Sequence, residues 1–136
     1  MDPGEYTIDV NDDQRIVHVV ARGIFYPPLG DEMIIKSLNT AADHGYPILC
    51  DARESVAKVS LFDWFFLPRR LWVYRHARTR NIRTAIVVTA GEQESIYRFF
   101  ETVTTNLGLN IRIFLDEAIA KHWLLQQGRA TPSPPT

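Results

Sequence analysis

Positions 69–83 hold six arginines and no acidic residue, directly after a run of aromatic side chains. A helix is predicted over 60–77, and apolar residues cover more than one of its faces, so only some of them can pack on a neighbouring sheet. The residues expected to contact a partner or ligand are Trp64, Arg69, Arg70 and Trp72 here, with Asp51, Arg53 and Ser60 in the preceding segment. Trp and Arg are enriched at protein-binding hot spots, and arginines beside aromatics also suit an anionic membrane surface. These aromatic and arginine side chains favour binding of a protein partner, and binding of an anionic lipid surface is the second hypothesis.

A second group of polar residues follows a short apolar run that predicts a buried strand, Ile48-Leu49-Cys50. Asp51 and Arg53 come next, where open α/β sheets bind ligands at the carboxyl ends of their strands. We expect Asp51 to organise the loop after this strand as a hydrogen-bond acceptor, paired with Arg53. Ser60 and Asp63 have the spacing of a helix capping box. The Ser60 hydroxyl is expected to cap the helix, and the alternative is a phosphosite at a helix N-terminus.

The sequence contains no recognisable catalytic or metal-binding pattern. Cys50 is the single cysteine and lies in an apolar strand, so we expect an inert, buried thiol. The four histidines are scattered over different elements without a metal-ligand spacing, and His18 is expected to be exposed. No glycine-rich phosphate loop, nucleophile elbow or spaced carboxylate pair is present. We therefore expect a binding protein that uses no cofactor or metal, rather than an enzyme.

The charge of the chain is balanced overall but unevenly distributed. Its 136 residues include 15 Lys and Arg and 16 Asp and Glu, which give a net charge of −1. Positions 69–83 carry +6, so the rest of the chain carries −7. This distribution argues against bulk nucleic-acid binding, and single-stranded nucleic acid ranks third among the ligands of the aromatic segment. With 46% apolar and 23% charged residues, the composition is typical of one globular domain.

Hydrophobic periodicity predicts an α/β fold. Strands are predicted at 6–10 and 15–22, and their short connection requires an antiparallel hairpin. The later elements are predicted as a helix at 29–44, a strand at 48–50, a helix at 60–77, a strand at 84–89, a helix at 93–107, a strand at 110–115 and a final helix capped by Asp116. The order ββαβαβαβα predicts four helices and a mixed, mostly parallel five-stranded sheet that begins with the antiparallel hairpin.

The ends of the chain predict a simple domain organisation. Residues 1–127 are predicted to form one domain, and residues 128–136, which contain three prolines, a disordered tail. The acidic, polar N-terminus is unlike a signal peptide, and no apolar run approaches the roughly 20 residues that span a bilayer. We expect a cytoplasmic location.

Four segments of the sequence together resemble those of a known protein family. They are YTIDVNDDQRIVHVVARG, ILCDARESVAKVS, TAIVV and IRIFLDEAIAKHWL. With them the chain resembles the STAS-like, SpoIIAA-like (anti-sigma-factor-antagonist-like) bacterial proteins, in their uncharacterised branch. In the phospho-switched members of that family a serine at the start of the next helix is phosphorylated. The matching position is Ser60, which lacks the preceding Asp and the following Gly of that motif.

The resemblance implies a non-catalytic regulatory or scaffold module. Such a module would bind a protein partner through the loop after the third strand and the aromatic, arginine-rich helix predicted at 60–77. The alternative follows from the architecture that SpoIIAA-like proteins share with CRAL-TRIO-like lipid carriers. It is a carrier or sensor of an apolar or anionic-lipid ligand, held in a cleft beneath the same helix. Homo-oligomerisation is compatible with both hypotheses.

Overall fold

Five strands join into one mixed sheet in the computed structural model, which describes residues 2–60, 63 and 81–126. The strands are β1 (Glu5–Asn11), β2 (Ile16–Phe25), β3 (Ile48–Ala57), β4 (Arg83–Val87) and β5 (Asn110–Phe114), and the described helices are α1 (Pro27–His44), α2 (Glu92–Asn106) and α3 (Glu117–Leu125). The strand order is β1-β2-β3-β4-β5, with β1 antiparallel to β2 and the other neighbours parallel. The predicted α/β class and opening hairpin are confirmed. The predicted tail and most of the helix predicted at 60–77 lie outside the described residues.

The described helices cover the two faces of the sheet unequally. We call the face covered by α1 and α2 the front face, and the face covered by α3 the back face. Right-handed crossovers between successive parallel strands place α1 and α2 on the same side. The larger core cluster lies on the front face and includes Val19, Leu38, Cys50, Ile86, Phe100 and Ile113. The smaller back-face cluster consists of Ile16, Leu49, Ala85, Val87, Ala120 and Leu124.

The third strand is longer than its sequence predicts. The expectation that Asp51 begins a loop was wrong, because β3 continues to Ala57. Its ladder with β4 ends at the pair Asp51↔Val87, whereas its ladder with β2 continues past a bulge to Phe25↔Ala57. The second half of β3 therefore has a neighbour on one side only. Exposed polar side chains are tolerated there, which explains why this strand resembles a loop in the sequence.

Local sequence signals place two helix ends correctly. The Asp116 side chain caps α3 by accepting a hydrogen bond from the Ile119 amide at 3.0 Å. Helix α1 ends at Gly45, whose φ of 71° lies in the left-handed region that glycine adopts without strain. The expectation for His18 was wrong, since its ring is half-buried and its Nε2 is buried without a hydrogen-bond partner. His18 lies on β2, which is an interior strand of the sheet between β1 and β3.

Candidate ligand-binding cavity

The predicted pairing of Asp51 with Arg53 is confirmed on the back face of β3. The Arg53 guanidinium donates from Nε to Oδ1 and from Nη2 to Oδ2 of Asp51, both at 2.9 Å. The same Nη2 donates to Oε1 of Glu117 in α3 at 3.0 Å. Glu117 also lies 3.5 Å from the Lys121 ammonium. The residues therefore form one ion-pair chain that ties β3 to α3.

The electrostatics of this chain support a structural role for Asp51 and Arg53. The hydrogen bonds from the Arg53 side chain hold the pKa of the Asp51 carboxyl below its ordinary value, although partial burial opposes the shift. The same contact raises the pKa of the Arg53 guanidinium. Both groups stay charged near neutral pH and are occupied by each other. They are poor candidates for recognising a separate ligand.

Ser60 forms the capping hydrogen bonds that its spacing predicts. Its backbone amide donates to Oδ2 of Asp63 at 2.7 Å, and the Asp63 amide donates to the Ser60 hydroxyl at 3.2 Å. The hydroxyl itself donates to the same carboxylate at 3.1 Å. A phosphate at this position would face that carboxylate, and like charges repel. The hydrogen bonds of the predicted capping box are confirmed, and phosphorylation of Ser60 stays a prediction.

The other four predicted contact residues lie outside the described residues. They are Trp64, Arg69, Arg70 and Trp72. The structure therefore brings together Asp51 and Arg53 and, separately, Ser60 and Asp63.

A cavity on the front face is lined mostly by residues that the sequence does not single out. It lies between α1 and α2 over the carboxyl-terminal parts of β2, β3 and β4, and its volume is about 110 Å³. This end of an open parallel sheet is where α/β proteins usually bind ligands. Its apolar lining includes Phe25, Met33, Ile34, Ala52, Ile86, Ile96 and Phe100. Val59 and Asp63, from the chain that follows β3, also contribute to it.

Cys50 and Tyr97 are the ionisable groups on the inner surface of the cavity. Burial raises the pKa of the Cys50 thiol from 9.0 to about 12, and the nearby Asp51 charge raises it further. Burial also raises the pKa of Tyr97 from 10.0 to about 12, partly offset by its hydrogen bond with Ser55. Both groups are uncharged at neutral pH. The Cys50 thiol is confirmed as buried, and it lacks the thiolate character that a nucleophile needs.

The protons of the inner hydroxyl groups already have acceptors. The Ser55 hydroxyl donates to the Ala52 carbonyl at 2.8 Å, which uses its single proton. The Tyr97 hydroxyl, 2.9 Å from the Ser55 oxygen, must then donate to Ser55. The inner end of the cavity therefore presents no free hydroxyl proton to a ligand.

The mouth of the cavity combines an exposed aromatic ring with two carboxylates. Tyr26 is 59% exposed, and Asp31 and Asp63 lie beside it on the lining. The described lining residues include no Lys or Arg. Gly30, in the first turns of α1, contributes empty space, because a Cβ built there would meet no atom within 4 Å. The mouth is therefore lined by aromatic and acidic side chains, and the Asp63 carboxylate is engaged by Ser60.

Known proteins support the fold of this chain. The described sheet and helices form a SpoIIAA-like fold, as the sequence resemblance implies. The chain is similar to an uncharacterized protein from the DUF3478 family with a SpoIIAA-like fold, from Shewanella loihica PV-4. The two share 21% identity with a TM-score of 0.52, and the match covers 89% of this chain and 93% of the other. No protein-family model and no curated protein matches the chain.

Two further features of the described residues bear on ligands and membranes. None of the helices within 2–60, 63 and 81–126 is long and apolar enough to cross a bilayer. In the same part of the chain, no three His, Cys, Asp or Glu side chains come together as a metal site would require.

Proposed function

We propose that the protein is a non-catalytic, SpoIIAA-like carrier or sensor that binds an uncharged apolar molecule in the front-face cavity. The observation that carries this proposal is the cavity itself, which has an apolar lining and lies at the carboxyl ends of parallel strands. The proposal develops the alternative from the sequence, a carrier or sensor whose ligand lies in a cleft beneath the helix predicted at 60–77. Of the ligands in that hypothesis, the apolar lining favours the uncharged one.

The size of the cavity limits how much of a ligand can enter. An apolar protein cavity of about 150 Å³ stays dry and binds benzene. At about 110 Å³, the cavity here accommodates a small ring or a short alkyl chain. Burial is worth about 0.8 kcal/mol per CH2, so a chain of about five carbons gains roughly 4 kcal/mol, which corresponds to a Kd of about 1 mM. A longer natural ligand would leave its remaining atoms at the mouth.

The lining of the cavity defines the class of ligand. The inner Cys50 and Tyr97 are neutral, and the described lining residues include no Lys or Arg. A carboxylate or phosphate headgroup would lose hydration among these apolar side chains without gaining a cation. An alcohol, an alkane or a neutral aromatic compound avoids this cost. We therefore expect uncharged ligands to bind more tightly than anionic ligands of the same length.

The test compares 1-hexanol with hexanoate and blocks the cavity with Gly30→Leu. Calorimetry or ligand-observed NMR is expected to give a millimolar Kd for hexanol and binding at least tenfold weaker for hexanoate. Gly30→Leu fills the empty space beside α1 and is expected to weaken hexanol binding at least tenfold. The matched control is Asn39→Leu, which adds the same side chain at an exposed position of α1. Thermal melting of both variants separates a blocked cavity from a damaged fold.

Two results would contradict the ligand proposal. One is hexanol binding by folded Gly30→Leu as tight as that of the unaltered protein. The other is an equal loss in Asn39→Leu, which would assign the binding to another surface.

A second candidate function is a regulatory or scaffold module for a protein partner. The observation that favours it is the charge of +6 over 69–83, next to the aromatic run. Replacing Trp64 and Trp72 by Ala should then abolish binding of a protein that co-purifies with the unaltered chain. The loss should be reproduced with the two purified proteins, and hexanol binding should stay unchanged. Replacing Arg69 and Arg70 by Glu should abolish co-sedimentation with anionic vesicles if that segment contacts lipid instead.

A further inference from the structure

A second cleft lies at the edge of the sheet, on the side of β5 away from the front-face cavity. Its volume is about 560 Å³, within the range of small-molecule sites. Residues of α2, β4, β5 and α3 line it, including Arg83, Thr105, Asn106, Asn110, Arg112 and Trp123. We call it the arginine cleft. Its lining combines two arginines and several polar side chains with apolar ones, whereas that of the front-face cavity is almost entirely apolar.

Two guanidinium groups flank one indole ring in this cleft. The central carbon of Arg83 lies 5.0 Å from the ring centroid of Trp123, and that of Arg112 lies 5.5 Å from it. Cation–π contact holds both side chains against the ring. Nη1 of Arg83 also donates to the Trp123 carbonyl at 2.8 Å, which satisfies an acceptor near the end of α3. Two positive charges are therefore fixed at one ring.

Neither guanidinium is paired with a carboxylate within the described residues. The ion pairs of this part of the chain involve other cations, namely Arg22, Lys36, Arg53, Arg98 and Lys121. Arg112 is exposed, so its N–H donors face solvent. Two neighbouring cations that no described carboxylate pairs create a local positive potential that attracts anions.

One carboxylate in the cleft, that of Glu101, is already engaged. Its Oε2 accepts a hydrogen bond from the Ile113 amide at 2.8 Å, and its Oε1 lies 3.9 Å from Nη1 of Arg98. Glu101 thereby covers the outer edge of β5 and has Arg98 as its own cation. Its charge only partly offsets that of Arg83 and Arg112.

We propose that the arginine cleft binds a phosphate-type oxyanion, held mainly by Arg112 with Arg83 beside it. Guanidinium groups bind phosphate through paired, charge-assisted hydrogen bonds, and the exposed donors of Arg112 can form them. The polar side chains of Thr105, Asn106 and Asn110 surround the same space and suit the neutral part of a phosphorylated small molecule. The proposal is independent of the apolar ligand on the front face.

The test uses inorganic pyrophosphate and NMR of the indole N–H of Trp123. Saturable shifts of this signal are expected during the titration, and Arg112→Gln should weaken binding by about tenfold or more. Arg15→Gln is the matched control, since it removes the same charge at an exposed turn far from the cleft. It should change the affinity less than twofold. Vesicles with and without phosphatidic acid form a second arm, since a lipid headgroup carries the same chemistry.

The two arms of the test distinguish a soluble phosphate compound from a lipid headgroup, and together they test the proposal. Pyrophosphate binding that Arg112→Gln weakens assigns a soluble phosphate compound. Vesicle binding that requires phosphatidic acid and Arg112 assigns a phosphorylated headgroup. The proposal is overturned if neither probe binds saturably, or if Arg112→Gln and Arg15→Gln weaken binding equally, because equal losses indicate general attraction to positive charge.

Discussion

Neighbouring residues of β3 have opposite environments and opposite roles. Cys50 and Ala52 point to the front face, where they line an apolar cavity. Asp51 and Arg53 point to the back face, where they tie the strand to Glu117 of α3. The alternation of side chains along a strand creates this division. The charged residues that attract attention in the sequence hold the fold together, and the small apolar residues between them form the candidate site.

Because the two faces of β3 have different roles, we expect mutations to perturb them separately. Changes on the back face should lower the free energy of unfolding and leave apolar ligand binding intact. Changes around the cavity should alter binding and leave the fold stable.

Removing a core side chain on the back face should have the largest effect on stability. Leu124 is 1% exposed and packs in the cluster beneath α3, so Leu124→Ala should lower the free energy of unfolding by about 3 kcal/mol. The matched control is Leu125→Ala at the next residue, which is 56% exposed and should cost less than about 0.5 kcal/mol. Chemical denaturation measures both. Similar costs at the two positions would contradict the packing of α3 on the sheet.

Breaking the ion-pair chain should have an intermediate effect. Arg53→Gln leaves Asp51 and Glu117 without their shared cation, so we expect a loss of about 1–2 kcal/mol by chemical denaturation. The control is Arg22→Gln. It breaks a pair with Glu54 whose side chains are 58% and 74% exposed, and it should cost about 0.5 kcal/mol or less. Equal effects would mean that Arg53 contributes no more than an ordinary surface charge.

A methyl group at Gly30 should stabilise the protein, although it lies at the cavity. Gly30→Ala adds a Cβ that meets no atom within 4 Å and favours the helical backbone, so thermal melting should show a gain of roughly 0.5–1 kcal/mol. Gly45→Ala also meets no atom, but its φ of 71° disfavours alanine, so it should destabilise the protein. A loss of stability in Gly30→Ala would show that this space is not empty.

The smallest effect is the acid dependence contributed by Asp51. Its pKa is lower in the folded protein than in the unfolded chain because Arg53 stabilises the carboxylate. The contribution is therefore fully present above the unfolded pKa and is lost as the pH falls through the folded pKa. Asp51→Asn should flatten the decline in unfolding free energy below about pH 4. An unchanged pH profile in this variant would contradict the pairing.

Local chemistry made much of the fold predictable, and the cavity depends on contacts that the sequence does not reveal. The apolar run 48–50 predicts a central strand correctly, and Asp116 predicts its helix cap, since both signals involve neighbouring residues. The extension of β3 to Ala57 was missed because its polar residues lie beside a single neighbouring strand. The cavity arises where Gly30 and Ala52, distant in the sequence, leave space between three elements. No periodic pattern marks such a gap.

The most direct test of ligand binding in the front-face cavity maps 1-hexanol onto side-chain methyl groups by NMR. Ile34, Ile86 and Ile96 line the cavity, while Ile16 lies in the back-face cluster and serves as the internal control. Binding in the cavity should give saturable shifts and intermolecular NOEs from hexanol to the three cavity isoleucines, with Ile16 unaffected. NOEs confined to Ile16, or no saturable shift at any cavity methyl group, would contradict it.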